Sequence, residues 1–291
     1  MQSCENKIEK LQTLPIEDWP KLCELYKADW PKHIISYYTI RNFINWTTKN
    51  TQIDDVRILT IGDWRQHGTY ILENRSKIRY NIYFNTLASR TEEIMLEALN
   101  CLDTKPAYTL AGYVERSRFT VIEHLKTLGL SIDESYKGYC PALLYYLPKE
   151  ESIKLISKPI NGFVIKPLTE KYIEQINDSW PHKYPGSDYL IQRIVRFNHT
   201  IGVFDTITGV LCGWVMEQEY GTIGNLHVEP KYQRRGLGMS LVRLLCIEMA
   251  KAGLDATTAI MVTNTASRSL FEKIGFKVID KVYWYDKVAF E

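Results

Sequence analysis

The chain has 291 residues, 45% of them hydrophobic and 24% charged, with a formal net charge of +2. That length supports two domains of ordinary size with folded cores, and the composition excludes a disordered chain. The near-neutral charge excludes a broad nucleic-acid surface, so any basic site is local and no nucleic-acid partner is expected.

No stretch approaches the ~20 apolar residues of a membrane span, so no membrane partner is expected. The six cysteines (Cys4, Cys23, Cys101, Cys140, Cys212 and Cys246) are scattered. None has CxxC or Cys/His spacing, so no metal site is expected. Residues 1–7 lack an apolar leader core and are acidic for a transit peptide. With reduced thiols, that points to the cytoplasm.

In chain order, Leu14-Pro15-Ile16-Glu17-Asp18-Trp19 opens a helix. Strand-like runs follow at 56–61, 68–73 and 78–84, and an amphipathic helix over 119–128 ends at Gly129. Polar Pro148-Lys149-Glu150-Glu151-Ser152 and Pro159-Ile160-Asn161-Gly162 punctuate the chain, which places a domain boundary near 148–160. Beyond it, 163–166 reads as a strand, and 169–180 and 188–197 as helices. Residues 201–205 and 210–216 form a hairpin, and 224–228 is the next strand. Helix 238–252, strand 259–262, a helix capped by Asn264 and stopped by Gly275, and two short strands within 277–290 complete the order. The fold class is α/β (α+β), a mixed central sheet flanked by helices. The N-terminal half echoes this plan, which suggests an internal duplication.

Chemistry concentrates after strand 224–228, at Gln233-Arg234-Arg235-Gly236-Leu237-Gly238-Met239. A glycine-rich loop running into a helix presents free N–H groups at the positive end of the helix dipole, and glycines let phosphate approach the backbone. Arg234, Arg235 and Lys231 add charge, so a diphosphate is the natural guest. The P-loop pattern fails because no Lys-Ser or Lys-Thr follows these glycines, and Leu241 stands where a dinucleotide fingerprint needs its third glycine. The bland alternative is an ordinary glycine-rich turn.

About one helix and strand later come Val262-Thr263-Asn264, Ala266 and Leu270-Phe271-Glu272-Lys273-Ile274-Gly275-Phe276. The two motifs at this separation resemble the GNAT superfamily of acyl-CoA-dependent N-acyltransferases, over residues 163–290. Asn264 to Ala266 is one residue shorter than the family pattern. A narrower likeness runs through Asn177-Asp178-Ser179-Trp180, Ser187, Tyr189-Leu190-Ile191, Thr200-Ile201-Gly202-Val203-Phe204 and Gly213-Trp214-Val215-Met216. Those markers are similar to the glycine N-acyltransferase family, which also carries an N-terminal domain.

The resemblance implies two GNAT-like domains in tandem: a degenerate one over 1–155 and an acyl-CoA-binding catalytic one over 160–291. The N-terminal counterpart of the loop, residues 86–92, contains no glycine, so one coenzyme site per chain is expected. It implies acyl-CoA or acetyl-CoA as co-substrate, with Gln233 to Met239 on the pyrophosphate. Leu226, His227 and Val228 lie along the pantetheine, with the Leu226 N–H toward the thioester oxygen, and Asn264 and Phe271 line the thiol end. The family's glutamate position falls on Thr222, which cannot act as a base. Glu217 and Glu219 are the candidates through water, although charges beside a hairpin are ordinarily solvated. His227 is a rival base, unless it points away from the cleft. Phe271 stands where many relatives carry a tyrosine acid, and Tyr283 and Tyr285 are the nearby substitutes. His33, His67, His124, His182 and His199 form no cluster and read as structural or surface residues.

The expected function is transfer of an acyl group to a small amine, an amino acid such as glycine, by a monomer or homodimer. The alternatives are a non-catalytic acyl-CoA-binding protein and a protein or peptide N-acetyltransferase. The family resemblance adds the mitochondrion as a second compartment.

Overall fold

The computed structural model describes residues 10–76, 79–88, 91–132 and 138–288. The chain divides into two compact units, one of Met1–Ala142 with Asp280–Glu291, the other of Leu143–Ile279. The expected break near 148–160 therefore falls earlier, and the last residues return to the first unit. The reason is pairing: the C-terminal strand finds its ladder partner in the N-terminal half.

The first repeat runs β1 (Leu11–Thr13), α1 (Trp19–Leu25), α2 (Ile34–Lys49), β2 (Val56–Ile61), a short α3 (Trp64–His67), β3 (Tyr70–Arg75), β4 (Tyr80–Asn85), α4 (Thr91–Asn100), β5 (Tyr108–Val114), α5 (Arg118–Thr127) and β6 (Tyr139–Leu147). After a short α6 (Lys149–Ser152) come β7 (Phe163–Pro167), α7 (Ile173–Asp178), α8 (Ser187–Phe197), β8 (Thr200–Asp205), β9 (Leu211–Glu217), β10 (Ile223–Val228), α9 (Leu237–Lys251), β11 (Ala256–Met261), α10 (Thr265–Ile274) and β12 (Lys277–Lys287). Set aside α3 and α6, and the two halves have the same order of strands and helices.

The ladders repeat as well. β1 to β4 are antiparallel neighbours in sequence order, and so are β7 to β10. In the first unit β4 then pairs in parallel with β5, but only at Asn81↔Thr109 and Ile82↔Leu110. β12 pairs with β5, from Val282↔Val114 to Lys287↔Tyr108. In the second unit the neighbour of β11 is β6.

Several expectations shift. Residues 277–290 hold one long strand up to Lys287 rather than two short ones, because β12 runs on into the ladder with β5. Helix 169–180 is a 3-10 turn followed by the shorter α7. The four-turn α2 carries no clean apolar stripe in sequence, since Ser36, Thr39 and Asn42 share its buried surface. Residues 1–7, Ile78, Ser89, Arg90 and Phe290 lie outside the described residues, as does Cys4, and the other five cysteines form no disulfide among the described residues.

In the first unit Ile71, Ile82, Leu99, Leu110, Val121 and Leu125 centre the core. In the second, α9 buries Leu237, Leu241, Val242, Leu245 and Met249, spaced by three and four, against β8, β9 and β10. That packing points the N-terminus of α9 at the end of β10.

Candidate functional site

β10 is the last strand of its sheet, and its inner neighbour β9 approaches it very closely. A Cβ built on Gly213 would stand 2.6 Å from His227 O and 3.1 Å from Val228 Cα, so only glycine fits there. The ladder then breaks. Gly224 faces Met216 and His227 faces Trp214, which leaves Asn225 and Leu226 as a bulge without register partners. Asn225 turns the strand in the left-handed region, with φ +49°. On its other side β10 lies beside β11 with no backbone ladder between them. One side-chain bond ties them, from Thr258 Oγ1 to Ile223 O at 2.8 Å. The Leu226 backbone thus sits on a strand edge that no neighbour has claimed, where a ligand amide can pair.

Beyond Val228 the chain makes a 3-10 turn over Pro230–Tyr232 and enters the loop. Gln233 Nε2 donates to Val228 O at 2.9 Å and fastens the loop to the strand end. Arg234 and Gly236 adopt φ +60° and +79°, on either side of Arg235. Gly236 is the N-cap of α9 and offers no side-chain acceptor. The first N–H groups of a helix have no intrahelical partner, so those of Leu237, Gly238 and Met239 face outward unclaimed by the helix. Nothing lies within 4 Å of a Cβ built on Gly236. Open space, free donors and the helix dipole coincide there, which suits an anion.

The arginines divide their roles. Arg234 is exposed on the loop. Arg235 is drawn back over aromatic rings, 5.7 Å from Tyr232 and 6.0 Å from Phe163.

α10 closes the third side. Asn264 caps it, its side chain accepting from Ser267 N at 3.1 Å. The third residue after the cap is therefore Ser267, and Ala266 does not take that place. A Cβ on Gly238 would lie 3.6 Å from Leu270 Cδ1 and 3.8 Å from Val228 Cγ2. Leu270 is thus the α10 side chain beside the loop and the strand end. Phe271 is buried and packs edge-on against Phe276, 5.1 Å between ring centres.

The acid and base candidates also move. Glu217 and Glu219 are 5% and 4% exposed, so neither is a solvated hairpin charge. The hairpin end folds inward, and Asn198 Nδ2 donates to Glu217 O at 3.0 Å. His199 is no isolated surface histidine, since its Nδ1 lies 2.6 Å from Glu217 Oε2. His227 stacks on Trp214 at 4.5 Å and lies 3.7 Å from Glu229 Oε2. Strand alternation puts it on the face opposite Val228. Tyr283 and Tyr285 are buried and count with the first unit. Tyr283 stacks on Tyr139 and donates to Glu115, and burial together with Glu115 pushes its phenol far above the ordinary range.

In the first unit, β4 ends at Asn85 where β10 ends at Val228. There Arg116 donates to Asn85 Oδ1 and Thr86 O, both at 2.5 Å, so a cationic side chain fills that turn. Among the described residues, no cluster of ligating side chains fit for a metal is present.

Known proteins place these observations. The FR47-like protein family matches residues 200–285, which span β8 to β12. The [ribosomal protein bS18]-alanine N-acetyltransferase of Haemophilus influenzae is 27% identical over 95 residues, covering 33% of this chain and 60% of that enzyme. The chain thus spans 60% of the curated relative's length. A Drosophila protein of known structure superposes with a TM-score of 0.86 at 24% identity, over 96% of this chain and 99% of the other. A tandem GNAT protein from the clavulanic acid biosynthesis pathway superposes with a TM-score of 0.59 at 10% identity, over 97% and 98% of the two chains. The chain has the GNAT acetyltransferase fold, a mixed sheet flanked by helices, and its full length superposes on a tandem GNAT protein.

Proposed function

We propose that the second unit is an acyl-CoA-dependent N-acyltransferase that moves an acyl group, acetyl in the simplest case, from coenzyme A to the amine of a small acceptor. One observation carries the reading: the unclaimed N–H groups at Gly236 to Met239 stand at the end of a bulged strand whose far edge has no ladder partner. A pyrophosphate caps α9, and pantetheine runs along Leu226, His227 and Val228, past Leu270. The glycine-less N-terminal turn, occupied by Arg116, supports one coenzyme site per chain.

The acceptor amine, neutral when it attacks, forms an N–C bond to the thioester carbonyl. The Leu226 N–H donates to the oxygen that becomes negative, where a fixed donor acts most strongly. The C–S bond then breaks and coenzyme A leaves as its thiolate, which at a thiol pKa of ~8.5 needs no protein acid. The amine proton passes through water to the carboxylates of the hairpin end, Glu219 and Glu217, with His199 fixing Glu217. Phe271 contributes packing and no proton.

The acceptor is an amino acid such as glycine, supported by the markers shared with the glycine N-acyltransferases at Asn177 to Trp180 and Gly213 to Met216. A second reading, acylation of a protein N-terminus, is supported by the Haemophilus influenzae relative, whose name states an alanine of a ribosomal protein as its target. Free thiol release separates them: the full chain is mixed with acetyl-CoA and with longer acyl-CoAs, and either amino acids or peptides are added. Turnover with amino acids and none with peptides supports the first reading, and the reverse supports the second. Coenzyme A binding without turnover on any amine leaves a binding protein only.

A further inference from the structure

We propose that the first unit binds a monatomic anion, chloride in ordinary solution, in the cavity between α2 and the ends of β4 and β5. The site lies apart from the acyltransferase reading, which concerns the second unit. β4 and β5 pair only at Asn81↔Thr109 and Ile82↔Leu110, although both strands run on buried, to Asn85 and Val114. Gly112 holds φ +63° beside the gap that this leaves. The cavity there is lined by Ile35, Ser36 and Thr39 of α2 together with Tyr70, Phe84 and Asn85. Ile35 and Ser36 belong to the first turn of α2, at the positive end of its dipole.

The polar side chains of the lining hold spare donors. Ser36, Thr39, Tyr70 and Asn85 are all buried, and Thr39 Oγ1 has no hydrogen-bond partner. A buried helical threonine ordinarily bonds a carbonyl one turn back, as Thr47 does to Phe43 O at 2.9 Å on the same helix. Thr39 makes no such bond, which leaves its hydroxyl for the cavity. The neighbours of Asn85 fix its orientation. Its Oδ1 accepts from Thr86 N at 2.9 Å and from Arg116 Nη2 at 2.5 Å, so the other end is the NH2 group. That nitrogen gives one hydrogen to Ser36 Oγ at 2.6 Å, and the second has no protein acceptor.

Charge selects the guest. Among the described residues no carboxylate lines the cavity. Arg116, which grips Asn85, is half-buried, and its Nε has no acceptor. Asp280 acts on it only at longer range than an ion pair. A cation withdrawn from water calls for a counter-charge. The enclosed space is narrow, which suits one atom-sized guest and leaves no room for a carboxylate with its chain. Water is the rival of that size. The Arg116 charge and the α2 dipole favour the ion, and bound there it ties α2 to a strand end that β5 leaves unpaired.

The test is thermal unfolding of the full chain as sodium chloride replaces sodium gluconate at constant ionic strength, which holds general screening fixed. Chloride at about ten times its dissociation constant should raise Tm by about 3 °C. Bromide should do the same, and in crystals it should give an anomalous-scattering peak beside Thr39 and Asn85. Thr39→Val keeps the shape without the hydroxyl and should abolish the rise, whereas Thr39→Ser should keep it. Should Thr39→Val fail to fold, Asn85→Asp decides, because its carboxylate repels an anion and should abolish the rise as well. Equal Tm in the two salts up to about 0.5 M would overturn the proposal and leave a water site. So would a chloride-dependent rise that survives in Thr39→Val or Asn85→Asp, or a bromide-soaked crystal with no peak in the cavity.

Discussion

His199 and Glu217 face each other across β8 and β9, with Nδ1 2.6 Å from Oε2 and the His199 N–H 3.3 Å from the same oxygen. The Glu217 carboxylate is buried, so this pair is its neutral or charged complement within the fold. His199→Ala leaves the carboxylate without that donor. It is expected to cost the second unit about 1–3 kcal/mol in denaturant unfolding. Glu217→Gln, which keeps a polar group there, should cost less. Equal stability of wild type and His199→Ala would show that the pair holds nothing in place.

Glu219 gives the contrasting case. On the proposed mechanism, its replacement by Gln should lower kcat by about a hundredfold or more while the KM for acetyl-CoA hardly changes. If Glu219→Gln keeps full turnover and Glu217→Gln loses it, the base belongs to the His199 pair instead.

Phe271→Tyr asks whether the missing tyrosine matters. Phe271 is 3% exposed and lies against Phe276, so an added hydroxyl is buried without a planned partner. Destabilisation of about 1–3 kcal/mol with no gain in kcat is expected. A rise in kcat would mean that this position opens on the thioester.

The site was partly legible in the sequence. The glycines of 236 and 238, the helix behind them and the Asn264 cap are local signals, and each stands where local physics puts it. The Glu217–His199 pair joins residues 18 apart, and hydropathy says nothing about which strand ends meet. The bulge at Asn225 was hidden too: asparagine takes positive φ more readily than most residues, but it also sits in ordinary strands, so its presence alone does not mark the bulge. The return of β12 to β5 could not be read at all, since strand pairing across more than 160 residues leaves no periodic trace. Leu270 rather than its neighbour Phe271 lies beside Gly238, and only the roll of α10, which the sequence does not show, decides which of the two meets the loop.

Gly213 tests the close approach of β9 and β10. Gly213→Ala drives a methyl onto His227 O and Val228 Cα, which are backbone atoms and cannot swing aside. A loss of about 1–3 kcal/mol is expected, together with weakened coenzyme binding as β10 shifts. The two losses are read from denaturant unfolding and from titration with coenzyme A.

In the first unit, His124 makes a pH prediction. Its Nδ1 lies 2.8 Å from Asn100 Oδ1 and its Nε2 3.2 Å from the Tyr108 hydroxyl. Burial holds the imidazole neutral, with its pKa lowered from 6.5 to about 4. Between those values the unfolded chain takes up a proton that the folded one refuses. Its stabilisation is therefore present above pH 6.5 and is lost as pH falls toward 4, by at most about 1.4 kcal/mol per pH unit. His124→Gln should flatten that limb in denaturant titrations run across the range. An unchanged slope would place the acid sensitivity elsewhere.

The most direct test of coenzyme binding at Gln233 to Gly238 is calorimetric titration of coenzyme A into the wild type, Gly236→Ala and Gly236→Glu. Both variants carry a Cβ at φ +79°, a strain of about 1–2 kcal/mol, but only glutamate adds negative charge in the open space before α9. Wild type should bind, Gly236→Ala should bind more weakly, and folded Gly236→Glu should lose at least about tenfold more than Gly236→Ala. Equal affinity of the glutamate variant and the wild type would contradict the placement of the pyrophosphate.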